Sequence, residues 1–327
     1  MATLPAFTKG EYVRAHGLLA AHVAYMMGRK LEEADWATVY CTARDIPHQR
    51  WSNLNLDVMH GRLGLELKML ARPPTVPITR DCGTTLMHPS LTRAIRIPSL
   101  DRSADEVMAE VFTQYSALVG RRRALVLQSS SGKEPDMRVG YLLWQTSLRE
   151  FLYFEEPMTA PDPALYRAVW NTRVGSASRL GSKNLWIYER ASGKKRYSVT
   201  TQAGIKIQPY FDVPALDDSN LYLLTVQGEV VDSDSVRLWA TESTARELDS
   251  LVGPRFESLS DAIVSTDLTG AAATLSVERE AVREIRVTVA AYEKLVAEFP
   301  GVSDELRLRS FVSHLRTARA AEKSKQL

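Results

Sequence analysis

Cysteine is scarce in this chain of 327 residues: only Cys41 and Cys82 occur, without Cys-x-x-Cys spacing. That excludes a disulfide framework and a zinc ribbon, and points to two buried thiols. Net charge is also small, +2 at pH 7. Composition alone therefore gives no general attraction to an acidic partner, and the distribution of charge along the chain becomes the informative quantity. No apolar run approaches the length of a membrane span, and the start, Met-Ala-Thr-Leu-Pro-Ala-Phe, lacks the charged-then-apolar order of an export signal. A cytoplasmic protein with no membrane partner is expected. Ser131-Gly132-Lys133 lacks the upstream glycine of a phosphate-binding loop, the six histidines form no His-Glu-x-x-His pair, and no Gly-x-Ser-x-Gly elbow is present. A nucleotide-driven motor, a zinc hydrolase and a serine hydrolase are thereby disfavoured. The hydrophobic content of 45% suffices for a sizeable core in one large domain or two.

What the chain does have is concentrated in residues 53 to 70. Leu54, Leu56 and Val58 alternate with Asn53, Asn55 and Asp57, the period of a strand with one buried face. After a turn at His60-Gly61-Arg62, Leu63, Leu65, Leu67 and Met69 alternate with Gly64, Glu66 and Lys68. Two such strands side by side would bring Asp57, Glu66 and Lys68 to one surface, with Gly64 leaving room beside Glu66. Two carboxylates suit a hard cation such as Mg²⁺, and an ammonium beside them can orient a water or offset charge growing on a phosphate. His60 is either a general base beside that site or a solvated turn histidine. The competing reading of the whole stretch is an amphipathic surface hairpin with solvated charges.

Asp57 followed on the next strand by Glu66-Leu67-Lys68 resembles the PD-(D/E)XK nuclease superfamily, to which most type II restriction endonucleases belong; Leu56 stands where that pattern often has proline. The resemblance implies a Mg²⁺-dependent endonuclease acting on double-stranded DNA. Asp57, Glu66 and Lys68 would be catalytic, and Asp57, Glu66 and the backbone carbonyl of Leu67 would hold the metal. It further implies a homodimer, since cutting both strands takes two sites, and a cognate DNA methyltransferase in the same system. Glu33, at the end of a preceding helix, is either one more acid for the metal or a solvated helix end.

The order of elements supplies the context. Periodicity predicts a helix over 9–34, a strand at Trp36–Cys41, the two strands above, a helix from Ser103 to Val119 ending at Gly120, and a strand at Ala124–Gln128. Further strands are expected at Val139–Gln145 and Phe151–Phe154. The fold class is thus α/β (α+β), a restriction-endonuclease-like mixed central sheet flanked by helices, with a nuclease core over 1–165 and a DNA-recognition region over 166–327. Arg50 lies in a polar loop before Asp57, where His48, Gln49 and Arg50 either touch DNA phosphates or make turn hydrogen bonds. The window Arg173 to Lys206 is basic, with Arg173, Arg179, Lys183, Lys194, Lys195 and Arg196 against one acid, Glu189. It reads as a hairpin, Leu185–Glu189 out and Arg196–Thr201 back, whose cations would grip phosphates while Arg179, Lys183 and Asn184 read base edges from a groove. The alternative is a solvated basic hairpin. Residues 212 to 262 turn acidic around an apolar strand, Leu221–Val226, and two helices, Val277–Phe299 and Ser303–Lys323, close the chain. Two other functions fit the same residues: a repair or phage-defence nuclease selecting DNA structure or methylation, and a non-catalytic DNA-binding protein.

Overall fold

The computed structural model describes residues 4–26, 31–47, 56–73, 75–80, 82–83, 95–97, 99–173, 181–201, 206–268 and 282–325. Two helices, α1 (Lys9–Met26) and α2 (Glu33–Ala43), precede the first strands. The strand expected at Trp36–Cys41 is part of α2. Its buried positions are Trp36, Val39, Tyr40 and Ala43, a helical stripe, and Glu32 N–H donates to Asp35 Oδ2 at 2.9 Å to close a capping box. The capping acids outweigh the β-branched and aromatic residues that suggested a strand.

The hairpin around the Glu-x-Lys motif forms as expected. Strand β1 (Val58–His60) pairs antiparallel with β2 (Leu63–Arg72), Val58 opposite Leu65. Next come a two-residue strand, β3 (Cys82–Gly83), and a long helix, α3 (Ala104–Ser129), started by Ser103, whose hydroxyl accepts from Glu106 N–H. Helix α3 runs on through Gly120 and absorbs the strand expected at Ala124–Gln128. Its buried stripe continues as Tyr115, Leu118, Arg122 and Val126, while Leu125 and Leu127 are exposed. The helix carries the chain across so that β4 (Asp136–Gln145) lies parallel to β2, Glu66 opposite Val139. Strand β5 (Glu150–Pro157) then pairs antiparallel with β4.

After a short 3-10 turn, Pro163–Leu165, the strands β6 (Tyr166–Arg173), β7 (Ser182–Glu189), β8 (Lys195–Thr200) and β9 (Lys206–Phe211) build a second sheet, ordered β3-β9-β8-β7-β6. The chain then returns to the first sheet: β10 (Tyr222–Thr225) pairs with β5, giving the order β1-β2-β4-β5-β10. A division at 165/166 therefore does not separate bodies, because the first sheet takes its last strand from beyond it. A third sheet, β11 (Glu229–Val230), β12 (Ser235–Thr241) and β13 (Val282–Thr288), packs with helices α4 (Glu242–Val252), α5 (Phe256–Ser265), α6 (Val289–Glu298) and α7 (Asp304–Lys325). The helix expected over 277–299 is β13 followed by α6; residues 277–281 lie outside the described ones. Seven residues of β12 pair with β13, a long ladder that decides for strand over helix there.

Alternation on β2 splits the core. Leu63, Leu65 and Leu67 point into a cluster with Trp36, Val39 and Tyr40 of α2, while Val139, Tyr141 and Leu143 on the other face of the sheet pack with α3 and with Leu185, Ile187 and Val199 of the second sheet. Gly64 faces α3, and a Cβ there would lie 2.7 Å from Leu56 Cδ1, 2.7 Å from Val126 Cγ2 and 2.9 Å from Met137 Sδ. The Gly64→Ala variant should lose roughly 1–3 kcal/mol by overpacking, read as a lower urea midpoint at unchanged slope. Among the described residues no helix is long and apolar enough to cross a membrane.

Candidate functional site

Because side chains alternate along β2, Glu66 and Lys68 share the face that α3 covers. Continuing the register of β1 by one residue sets Asp57 beside Glu66, and the strand ends there. Leu67 N–H, with no β1 partner left, donates to Asp57 Oδ2 at 2.6 Å. Lys68 Nζ lies 2.8 Å from Glu66 Oε1 and donates to the Leu67 carbonyl at 2.9 Å. The structure thus brings together the three residues singled out from the sequence, along with the carbonyl between two of them.

The sequence reading missed Arg122. It projects from α3 over the same face, with Nη2 3.0 Å from Glu66 Oε2 but off the line that a hydrogen bond requires, so that oxygen is buried without one. Two cations therefore flank one carboxylate, and Glu66, Lys68 and Arg122 are all nearly closed to solvent. Asp57 is half-buried and forms the accessible side. Its carboxyl is pushed up to about 6, first by burial and then by the Glu66 charge, against the pull of Lys68 and the Leu67 N–H. Burial alone would lower Lys68; Glu66, then Glu33 and Asp57, outweigh it and hold the ammonium above its ordinary value. Tyr115, one turn and a half before Arg122 on the same stripe, has its phenol raised by burial and by Glu66, opposed by Arg122.

Glu33, the first residue of α2, is half-buried and acts electrostatically on both Asp57 and Lys68. It belongs to the neighbourhood without touching either. His60 sits apart, in a cavity of about 510 Å³ shared with Glu11, Arg44, Asp136 and Arg138. Its place opposite Leu63 points it away from Glu66.

The donor set fits a hard divalent ion. Asp57, Glu66 and the Leu67 carbonyl offer oxygens only, Glu66 Oε2 lacks a hydrogen bond, and the Lys68 ammonium already spans Glu66 Oε1 and the Leu67 carbonyl. Among the described residues no group of three or more His, Cys, Asp or Glu is arranged to hold a metal ion. Any such ion would thus depend on two carboxylates, a carbonyl, water and substrate.

The basic ribbon is organised otherwise than its sequence suggests. Strands β7 and β8 are interior strands, flanked by β6 and β9, so no free two-stranded ribbon exists to enter a groove. Lys194 Nζ pairs with Asp212 at 3.0 Å, and Arg196 reaches Asp212 at 2.9 Å and Glu189 at 3.3 Å. Asp212 arrives on the chain after β9 and supplies the acid that the basic window lacks. Lys195 lies 4.2 Å from the Trp186 ring centre and 4.3 Å from that of Tyr210; Lys183 lies 4.6 Å from that of Trp170 and donates to the Leu100 carbonyl. Asn184 Nδ2 reaches Ser182 Oγ at 3.5 Å. Arg173 ends β6, and Arg50 and Arg179 lie outside the described residues. Comparison with known proteins adds no assignment. No family model, curated protein or solved structure matches this chain.

Proposed function

We propose that the chain is a Mg²⁺-dependent endonuclease of the PD-(D/E)XK kind that hydrolyses phosphodiester bonds of double-stranded DNA in the manner of a type II restriction enzyme. The observation that carries this reading is the convergence of Asp57, Glu66, the Leu67 carbonyl and Lys68 at the end of β1. A parallel β2-α3-β4 crossover places them on a rigid sheet. Asp57, Glu66 and the Leu67 carbonyl would hold the ion, which when bound supplies charge to the phosphate and a more acidic water. Lys68 releases the Leu67 carbonyl and orients the attacking water, whose oxygen forms the new P–O bond as the ester P–O bond breaks. The leaving oxygen takes up a proton. Asp57, the accessible member, faces the incoming phosphate, and Arg122 keeps Glu66 ionised and in place from behind. A homodimer and a cognate methyltransferase belong to this reading.

The buried balance of Glu66 against Lys68 and Arg122 also favours a second reading, a charge cluster that holds α3 to the sheet in a non-catalytic DNA-binding protein. The purified chain incubated with long methylated and unmethylated duplexes, with Mg²⁺ or chelator, decides between them. Discrete Mg²⁺-dependent fragments are expected, lowered about 10²- to 10³-fold in rate by Lys68→Ala. Intact DNA on every substrate sinks the nuclease, and so does cleavage that Lys68→Ala leaves unchanged.

A further inference from the structure

The second sheet has a free face. Its inner side packs on α3 and the first sheet through Leu185, Ile187, Val199 and Ile207. The paired registers put Arg167 opposite Tyr188, Trp186 opposite Ser198, and Tyr188 opposite Lys195 on the outer side, with Lys206 and Tyr210 alternating away from buried Ile207 and Phe211 on β9. Rings and cations interleave there. Arg167 lies 4.9 Å from the Tyr188 ring centre, and Lys195 sits between Trp186 and Tyr210. None of the outward positions of β6–β9 is a carboxylate among the described residues; the acids nearby, Glu189 and Asp212, are taken by Ser192, Lys194 and Arg196 at the sheet's end.

We propose that this outer face binds single-stranded DNA, stacking unpaired bases on Trp186, Tyr188 and Tyr210 while Arg167, Lys195 and Lys206 meet the phosphates. Three arguments favour an unpaired strand over a duplex. Five strands spaced about 4.8 Å apart span roughly 19 Å, too wide for a major groove of about 12 Å. A duplex laid across the face would cover half-buried rings with nothing to stack on them, whereas each exposed base has a π-face to offer. The cations already lie beside the rings, so a base displacing Lys195 from Trp186 leaves the ammonium where the next phosphate runs. The choice of DNA over RNA rests on the proposed nuclease; the stacking and charge arguments do not.

The test is fluorescence anisotropy of the full chain with labelled oligo-dT, the matching oligo-U and a duplex, all in chelator so that no hydrolysis intervenes. Oligo-dT is expected to bind more tightly than either competitor. Trp186→Ala and Tyr210→Ala should each weaken it roughly 10- to 100-fold. Lys206→Ala should reduce the slope of log K against log salt by about 0.7. Circular dichroism melting of each variant shows that it is folded, and Trp186→Phe, which keeps a ring, should retain most of the affinity. Equal or tighter duplex binding, tighter RNA binding, no binding, or binding unmoved by both ring substitutions would each overturn the proposal. Cleavage failing while Trp186-dependent binding persists removes the nuclease and leaves this face; the reverse pattern removes the face alone.

Discussion

Glu66→Leu should destabilise the protein by about 3–5 kcal/mol, more than any other single change at the site. The carboxylate lies between Lys68 at 2.8 Å and Arg122 at 3.0 Å, all three almost fully buried. Removing it leaves two cations in a closed space with one half-buried acid, Asp57, to share. A buried charge without its partner costs far more than the intact pair contributes. The companion experiment is the triple variant Glu66→Leu/Lys68→Met/Arg122→Met, in which no charge of the cluster remains to be stranded. It should recover most of the loss, since apolar groups of similar volume replace buried ion pairs at little cost. Equilibrium denaturation in urea reads both. A triple variant as unstable as the single one would mean that packing, not stranded charge, is what Glu66 supplies. Assayed for cleavage, the triple variant also separates stability from chemistry: it should fold and leave DNA intact. A folded triple variant that still cuts would place the chemistry elsewhere.

The part of this site that could be read from the sequence is the part governed by a period of two. Asp57, Glu66 and Lys68 follow from alternation around one turn, and strand pairing preserves alternation whatever the rest of the chain does. Arg122 was hidden for a different reason. It occupies a stripe position on α3, between Leu118 and Val126, where a helical pattern leads one to expect an apolar residue. A charged residue there, next to Gly120, reads as the end of the helix, and the apolar stretch beyond it then reads as a strand. The signal that could have found it is the spacing itself: Val111, Tyr115, Leu118, Arg122 and Val126 keep the 3.6 period through the break. A cation on that stripe needs a buried anion, and Glu66 is the one it meets. The α2 misreading has the same root, since Trp36, Val39 and Tyr40 favour strands by residue type while their spacing is helical. Asp212 illustrates what no local pattern carries. It follows the basic window in sequence, and only the pairing of β8 with β9 brings it back onto Lys194 and Arg196.

Asp57→Asn should make the metal-free protein more stable than the parent chain at pH 8, an unusual sign for the loss of a site acid. In the folded chain the Asp57 carboxyl titrates at about 6, against 3.8 when unperturbed. Between those values the folded state holds a proton that the unfolded chain has released, so stability falls as pH rises across this window. The contribution is fully present below about 4 and is lost once pH passes through about 6. The groups that face Asp57 are Glu66 and Glu33, which oppose its charge, and Lys68 with the Leu67 N–H, which support it. Asparagine keeps an oxygen to accept from Leu67 N–H and never ionises. Its advantage should therefore be near zero below pH 4 and on the order of 1–2 kcal/mol at pH 8, a figure reduced to allow for solvent around a half-buried side chain. The difference between the two proteins in chelator, measured by urea denaturation at several pH values, isolates this one group because the other titrations are common to both. Saturating Mg²⁺ should reverse the order at pH 8. Cation binding requires the ionised carboxylate, so the parent chain gains stability by mass action while Asp57→Asn gains little. At pH 5 the cation should help neither, since the proton holds Asp57. A parent chain that Mg²⁺ stabilises equally at both pH values, or an advantage of Asp57→Asn that survives saturating Mg²⁺, would remove Asp57 from any metal site and leave its raised carboxyl as a cost of closing β1 against β2.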